Sequence, residues 1–244
     1  MSAILAVEKL SVSFDGFRAV DELDFSVEQN ELRVVIGPNG AGKTTLLDMI
    51  CGKTRPLAGS IRFKGRDLTS LSEHEIVRAG VGRKFQTPST YEHLSVFENL
   101  EISYPRHRGV LGSLFFRRGP EVTERIREVA GEVFLSEQLE VTAGTLSHGQ
   151  RQWLEIGMLL MQDPELLLLD EPVAGMTSRE RQRTGELLLR ISRNRSVVVI
   201  EHDMDFVKSI ASKVTVLHQG KLLSEGPLEQ VQCDERVIEV YLGH

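Results

Sequence analysis

Two kinds of apolar segment alternate along this chain. Four short runs are rich in consecutive apolar residues, as expected of parallel strands that are covered on both faces. These runs span residues 32–36, 165–170, 197–200 and 214–217. Other segments repeat apolar residues every three to four positions, which is typical of amphipathic helices. These segments span residues 43–51, 178–192 and 203–211. The alternation of strand and helix predicts an α/β domain built on a parallel sheet.

Weaker patterns complete this outline. Shorter predicted strands cover residues 4–14, 25–27, 61–63 and 220–226, and a closing helix covers residues 234–242. Ser72 and Glu75 have the spacing of a capping box, which predicts a helix start. Residues from about 88 to 163 are mainly helical in pattern and interrupt the alternation. We therefore expect a helical lobe inserted into the core.

Composition narrows the possible partners and compartments. The chain has 244 residues, 41% of them hydrophobic and 26% charged, which is ordinary for one large globular domain. The net charge is −6 and no dense basic block is present, so a general electrostatic attraction to nucleic acid is missing. Cys51 and Cys233 lack metal-ligand spacing and are expected to be free thiols. No apolar stretch has bilayer-spanning length and no signal-peptide pattern opens the chain, so we expect a cytoplasmic protein.

A phosphate-binding loop follows the first apolar run. It consists of Gly37, Pro38, Asn39, Gly40, Ala41, Gly42, Lys43 and Thr44, and Thr45 continues it into the predicted helix. Glycines let backbone N–H groups converge on phosphate oxygens, and the helix start adds partial positive charge. In this pattern Lys43 holds the β- and γ-phosphates and Thr44 ligates Mg²⁺. The alternative, a glycine-rich turn with a solvated lysine, leaves the complete motif unexplained.

Two acids follow the second apolar run. Asp170 stands where a Walker-B aspartate holds the magnesium ion. Glu171 is placed to act as general base toward the attacking water. The alternative is that Glu171 is an exposed acid at a strand end. The phosphate loop elsewhere in the chain favours the catalytic interpretation.

The segment from Ser147 to Gln150 has two interpretations. Ser147 and Gln150 match a capping box, and the apolar face that follows predicts a helix. Taken alone, helix capping explains this segment. A helix start that offers a serine hydroxyl and the backbone of Gly149 is also an anion site, so one element can serve both purposes.

In this order the motifs resemble those of the ATP-binding subunits of ABC transporters, over residues 5–242. The serine-headed segment is similar to the signature motif of that family. The resemblance implies that Phe14 stacks on adenine, that the Q-loop glutamine Gln86 reaches the metal and the attacking water, and that the switch histidine His202 contacts the γ-phosphate. The alternative for Phe14 is a core strand residue, and a lone histidine such as His202 is more often structural.

The same resemblance implies a fold and a set of partners. The fold is α/β: a RecA-like P-loop NTPase core with a parallel sheet, an N-terminal antiparallel β subdomain and an α-helical subdomain, inserted at about 88–163 of one ATPase domain (1–244). Ser147, Gly149 and Gln150 then bind the γ-phosphate of a nucleotide held by a second homologous ATPase. The two subunits close head to tail around ATP and Mg²⁺. Two transmembrane permease subunits hold them at the cytoplasmic face of the inner membrane and connect them to a periplasmic solute-binding protein. Nucleic acid is not an expected partner.

Some residues depart from the common family pattern. Thr177 stands where many relatives carry the aspartate that communicates across the dimer, which leaves the coupling of the two sites open. His148 replaces the usual glycine of the signature motif and is expected to point away from the nucleotide. Residues 146–158 and 172–177 resemble the urea-importer branch of the branched-chain amino-acid-type transporters, and residues 237–243 resemble that whole group. We therefore expect one of two nonidentical ATPases of a bacterial urea importer. A branched-chain amino-acid importer is the alternative, and a lipid or polysaccharide exporter is third.

Other nucleotide-dependent machines fit less well. ABC ATPases that act on DNA carry long coiled coils, but only 61 positions separate Gln86 from Ser147 and no heptad pattern is present. Ribosome-associated relatives usually carry two cassettes, and this chain has one. A small-molecule kinase or a GTPase leaves the signature segment unexplained, and the guanine-reading Asn-Lys-x-Asp motif is absent.

Two segments suggest a docking surface for the permeases. Residues 108–118 carry leucines and phenylalanines among arginines and glycines, and residues 88–99 precede them in the same helical lobe. We hypothesise that part of these segments faces the membrane-embedded partners. The alternative is that their apolar side chains complete the small core of the lobe.

Overall fold

The computed structural model describes residues 3–84, 90–105 and 119–242. The strands in these ranges are β1 (Ala3–Phe14), β2 (Phe17–Glu28), β3 (Leu32–Ile36), β4 (Ala58–Phe63), β5 (Arg66–Asp67), β6 (Val81–Lys84), β7 (Leu166–Asp170), β8 (Ser196–Ile200), β9 (Lys213–His218) and β10 (Lys221–Gly226). The helices are α1 (Lys43–Ile50), α2 (Glu73–Ala79), α3 (Val96–Ser103), α4 (Pro120–Glu132), α5 (His148–Leu160), α6 (Ser178–Ile191), α7 (Met204–Ile210), α8 (Leu228–Gln232) and α9 (Glu235–Leu242).

The larger sheet sets the position of the site. Its strand order is β10-β9-β3-β8-β7-β6, and neighbouring strands are parallel except for the β9–β10 hairpin. The carboxyl ends of β3, β7 and β8 therefore open onto the same edge. The phosphate loop follows the end of β3, the acidic pair lies at the end of β7, and His202 comes shortly after the end of β8.

This sheet is buried on both faces, which explains its runs of consecutive apolar residues. Val34 and Leu167 join a hydrophobic cluster with helices of the lobe and with α6 and α7. Val35 and Leu168, the next residues along, join a second cluster with the smaller sheet and α1. The four strands predicted from these runs are confirmed, with shifts of one residue at most at their ends.

The smaller sheet is antiparallel, in the order β2-β1-β4-β5. Asp15 and Gly16 join β1 to β2 with φ angles of 49° and 85°, as a two-residue hairpin turn requires. The register of this hairpin shifts at several points. These shifts disturb the alternation of apolar and polar residues in β2. For that reason the sequence pattern indicates only the last part of this twelve-residue strand.

Helices α3, α4 and α5 lie between β6 and β7 along the chain. Ser95 and Ser147 close capping boxes at the starts of α3 and α5. The box predicted from Ser72 and Glu75 is confirmed at the start of α2. The short helix α8 was not predicted, because its five residues carry too little periodicity. In the part of the chain that the structure describes, no helix has both the length and the apolar character to cross a bilayer.

Candidate functional site

The phosphate loop bends sharply between β3 and α1, and two glycines make this possible. Gly37 has φ 152°, and a Cβ added there would lie 2.2 Å from the carbonyl oxygen of Leu217. Gly42 has φ 95°, and its Cβ would lie 2.5 Å from the carbonyl oxygen of Ala19. A side chain at either position would therefore displace backbone.

A cavity of about 250 Å³ opens over this loop. Its walls are Phe17, Ala19, Asn39, Gly40, Ala41, Gly42, Lys43, Thr44, Thr45, Glu171 and Ile200. Residues from the loop, the smaller sheet and the ends of β7 and β8 thus share one space. Two of the wall residues, Phe17 and Ala19, had no motif to identify them, because they belong to β2 and reach the cavity only through the fold.

Lys43 lies half-buried and folds back on its own loop. Its Nζ atom donates to the carbonyl oxygens of Gly37 and Pro38, at 2.8 and 3.0 Å. Burial lowers the pKa of Lys43, and the charges of Glu171 and Asp170 oppose this effect. The lysine therefore satisfies its donors with the two carbonyls, in the loop where a phosphate is expected to bind.

Asp170 ends β7 with a carboxylate that is almost fully buried. Neither of its oxygens receives a well-formed hydrogen bond within the chain. Burial is the main cause that raises the pKa of Asp170, while the Thr44 hydroxyl and the charge of Arg83 favour the ionised form. A buried carboxylate without a well-formed hydrogen bond, beside a threonine hydroxyl and 3.9 Å from Arg83, fits a small oxygen-seeking cation such as Mg²⁺.

No cluster of three or more His, Cys, Asp or Glu side chains that could hold a metal occurs among the described residues.

Glu171 has φ 48°, an uncommon backbone conformation for a residue other than glycine. Its N–H donates to the carbonyl oxygen of Ile200 at 3.0 Å, which ties the end of β7 to the end of β8. The Glu171 carboxylate lies 3.3 Å from Nδ1 of His202. The structure thus brings together two residues predicted from separate motifs. A strained residue in a cavity wall is typical of functional sites.

The aromatic residue on the cavity wall is Phe17, not Phe14. The two face each other across the β1–β2 hairpin. Phe14 is 47% exposed and Phe17 is 63% exposed. The alternative interpretation of Phe14 as a core residue is therefore wrong.

The signature segment forms a separate half of the proposed site. Ser147 accepts from the N–H of Gln150 at 3.2 Å, and the Gln150 side chain accepts from the N–H of Ser147 at 2.9 Å. The predicted capping interpretation is confirmed. Ser147, Gly149 and Gln150 are absent from the described residues that line the phosphate-loop cavity. One subunit does not bring its two halves into a common cavity.

Gln86 lies outside the described residues, and its predicted role stays a prediction. The strand that leads to it, β6, ends in two buried cations. Arg83 lies 2.6 Å from Asp48 and 3.9 Å from Asp170. Lys84 lies 3.1 Å from Glu155, in the middle of α5. Arg83 and Lys84 could have been identified from the sequence, because adjacent basic residues in a buried strand need partners.

Two departures from the family pattern now have structural partners. Thr177 closes a capping box with Glu180 at the start of α6. His148 lies with Nε2 at 2.9 Å from the carbonyl oxygen of Ala174, in the loop after the acidic pair. Whether the side chain of His148 points away from a bound nucleotide stays a prediction.

The docking hypothesis lies largely beyond what the structure describes. Residues 108–118 are outside the described ranges, as are Pro88 and Ser89. In the remainder of 88–99, Val96 and Asn99 are buried, whereas Tyr91 is 54% exposed. The Asn99 side chain accepts from the N–H of Tyr91 at 2.8 Å and so fixes the chain before α3. Part of this segment thus belongs to the core of the lobe.

Comparisons with known proteins agree with this geometry. A family model described as ABC transporter matches residues 20–174. A second, described as branched-chain amino acid ATP-binding cassette transporter, matches residues 221–244.

Full-length relatives are similar as well. The high-affinity branched-chain amino acid transport ATP-binding protein BraF of Pseudomonas aeruginosa is 39% identical, over 98% of both chains. The corresponding protein LivG of Escherichia coli is 34% identical, again over 98% of both chains. Among solved structures, a nucleotide-free ATP-binding cassette from an ABC transporter aligns with a TM-score of 0.88, 30% identity and full coverage of both chains. The ADP conformation of the cassette MJ1267 aligns with a TM-score of 0.87, 31% identity and full coverage of both chains. The predicted fold class is confirmed.

Proposed function

The chain belongs to the ABC transporter family as an ATP-binding subunit, and from this we propose that it is one of two ATPases that drive a solute importer of the branched-chain amino-acid class. The contact between Glu171 and His202, next to the buried carboxylate of Asp170, carries this proposal. A base on the cavity wall, a histidine in contact with it and a buried carboxylate just before it in the chain suit the attack of water on a bound triphosphate.

Binding of ATP rests on the phosphate loop. Its backbone N–H groups and the start of α1 hold the phosphates, and Lys43 leaves the carbonyl oxygens of Gly37 and Pro38 to reach them. Thr44 and Asp170 would hold Mg²⁺, together with Gln86. When bound, this ion neutralises charge on the phosphates.

Hydrolysis then depends on residues at the ends of β7 and β8. Glu171 accepts the proton of the attacking water, and His202 contacts the γ-phosphate from the neighbouring strand end. An exposed aromatic ring is available for the adenine at the tip of the β1–β2 hairpin. We assign this contact to Phe17, because it lies on the cavity wall and Phe14 does not.

The signature segment serves the partner ATPase. Ser147, Gly149 and Gln150 offer a hydroxyl and a helix start to the γ-phosphate of the nucleotide held by the second subunit. The pair closes head to tail around two ATP molecules, and hydrolysis reopens it. Two transmembrane permeases hold the pair at the cytoplasmic face of the membrane, and a periplasmic solute-binding protein delivers the solute.

The solute is proposed to be a branched-chain amino acid. The curated relatives reported above carry branched-chain amino acid transport in their names, and the second family model has the same description. The expectation of urea rests on residues 146–158 and 172–177 alone and finds no support in these relatives. Urea therefore takes second place, on the strength of those two segments.

Uptake by a deletion strain tests the solute. Loss of labelled leucine uptake, restored by the intact gene, is the expected result. Loss of labelled urea uptake with normal leucine uptake would reverse the assignment.

Co-purification tests the complex: two different permeases and a second ATPase are expected. Recovery of DNA or ribosomes instead would favour a soluble ABC ATPase and contradict the importer.

A further inference from the structure

Two helix starts converge on one carboxylate. Ser147 caps α5 and Thr177 caps α6, and the side chain of Glu180 lies between them. Oε1 of Glu180 accepts from the Ser147 hydroxyl at 3.2 Å. Oε2 accepts from the N–H and the hydroxyl of Thr177, at 2.9 and 2.8 Å. The carboxylate thus bridges two segments that are 33 positions apart along the chain.

The same carboxylate lies against Gly149. A Cβ added to Gly149 would fall 2.3 Å from Oε1 of Glu180. No positive φ is recorded for this glycine, so its backbone conformation does not demand the missing side chain. A side chain at this position would therefore push the Glu180 carboxylate aside.

The charge on Glu180 is well supported by its surroundings. Hydrogen bonds from the backbone and side chain of Thr177 lower the pKa of Glu180, and the Ser147 hydroxyl and the charge of His148 add to this. A carboxylate with these donors is ionised at neutral pH. The negatively charged Glu180 therefore contacts the Ser147 hydroxyl. In the proposed function, this hydroxyl binds the γ-phosphate of the nucleotide held by the partner.

We propose that Glu180 is an internal occupant of the anion site at the start of α5, which the partner's γ-phosphate must displace before the two subunits close. This inference rests on the proposed function, since it assigns Ser147 to that phosphate. The Ser147 hydroxyl has one proton and donates to one acceptor at a time. A phosphate and the Glu180 carboxylate in the same place also repel each other.

When a phosphate displaces Glu180 from Ser147, other contacts around the starts of α5 and α6 stay in place. The Nε2 atom of His148 stays within reach of the Ala174 carbonyl oxygen, 2.9 Å away in the free protomer. Oε2 of Glu180 is held by Thr177 and not by Ser147. A rotation of the Glu180 carboxylate therefore frees Ser147 without unfolding the start of α6. Glu180 acts as a positioning residue that sets the ATP concentration needed for closure.

The variant Glu180→Gln isolates the charge. The amide oxygen still accepts from Thr177, so the start of α6 stays capped, but the negative charge is removed. Glu186→Gln is the matched control, since it removes an exposed carboxylate from the same helix, away from the signature segment. Inorganic phosphate is the probe, followed through the backbone amide signals of residues 148–150 by NMR. We expect these signals to shift at about tenfold lower phosphate in Glu180→Gln than in the parent or in Glu186→Gln.

Equal phosphate dependence in the parent and in Glu180→Gln would overturn the proposal, and so would an equal gain in Glu186→Gln. A second measurement places the effect in the ATP cycle. In a Glu171→Gln background, the ATP concentration at half-maximal association with the co-purified second ATPase, measured by sedimentation, is expected to fall about tenfold when Glu180→Gln is added. If the phosphate shifts appear as expected but ATP drives no association with the second ATPase, the head-to-tail pair is wrong, while the occupancy of the anion site by Glu180 stands.

Discussion

In the phosphate-loop half of the proposed site, the buried carboxylate of Asp170 lacks a well-formed hydrogen bond, whereas in the signature half the carboxylate of Glu180 receives three hydrogen bonds. The first half is made of strand ends at the edge of a buried sheet, where Asp170 lacks a well-formed hydrogen bond and Lys43 is held only by carbonyl oxygens of its own loop. The second half is made of exposed helix starts that satisfy themselves. This contrast indicates that the first half is prepared for Mg²⁺ and ATP, and that the second must exchange an internal anion for a phosphate.

The strongest way to test the phosphate-loop half is Glu171→Gln. Loss of the general base should reduce ATP turnover about 10³-fold, because the amide cannot accept the proton of the attacking water. ATP binding should persist, since the phosphate loop is unchanged, and the ATP-bound pair should be trapped. Phosphate release and nucleotide titration measure the two effects separately. Substantial residual hydrolysis would remove Glu171 from the role of base.

The two halves are joined by the buried ion pair between Lys84 and Glu155. Glu155→Gln leaves a buried ammonium without its counter-charge and should lower the free energy of unfolding by about 3 kcal/mol. The double variant Lys84→Met with Glu155→Leu should recover most of this loss, because both charges are gone. Urea denaturation measures all three proteins. A single variant as stable as the parent would show that the pair does not join the sheet to α5.

Phe17→Ala tests which aromatic ring meets the adenine. Stacking of a base on an aromatic ring contributes about 1–3 kcal/mol, so ATP affinity should fall roughly tenfold. Phe14→Ala is the matched control from the opposite side of the hairpin, and it should change affinity little. Fluorescent-nucleotide titration compares the two. The reverse ranking would restore Phe14 as the adenine contact.

Asp170→Asn tests whether the buried carboxylate of Asp170 destabilises the protein when no nucleotide is bound. Burial is the main cause that raises the pKa of Asp170, so replacing this carboxylate by a neutral amide should raise the free energy of unfolding by roughly 1 kcal/mol at neutral pH. The same variant should lose Mg²⁺-dependent ATP binding. Denaturation without nucleotide, and titration with and without Mg²⁺, give both results. A destabilised variant would show that the Asp170 carboxylate supports the fold.

Glu180→Ala tests whether the hydrogen bonds received by the Glu180 carboxylate stabilise the signature half. The pKa of Glu180 is lowered in the folded protein, so its contribution is present above the ordinary pKa of glutamate and is lost as pH falls through the folded-state value. At neutral pH the variant should be less stable by about 0.5 kcal/mol, since the side chain is partly exposed to solvent. The difference should shrink in denaturation curves at acidic pH. A constant difference would assign the effect to packing.

Local features of both halves were predictable from short stretches of sequence. The glycines and lysine of the phosphate loop, the acids that end β7 and the capping box at Ser147 each depend on a few consecutive residues. Backbone geometry, helix capping and strand burial act at that range, so residue type and spacing suffice. The four buried strands followed from the same reasoning, because a sheet covered on both faces requires consecutive apolar residues.

Tertiary structure alone decided which distant side chains meet. Phe17 lines the cavity in place of Phe14 because β2 borders the phosphate loop, as Ala19 of the same strand also shows, a distinction that the aromatic character of either residue does not carry. The reach of Glu180 to Ser147 depends on how α6 packs beside α5. Such contacts are fixed by the packing of whole helices and sheets, which sums many small contributions from residues far apart in the chain.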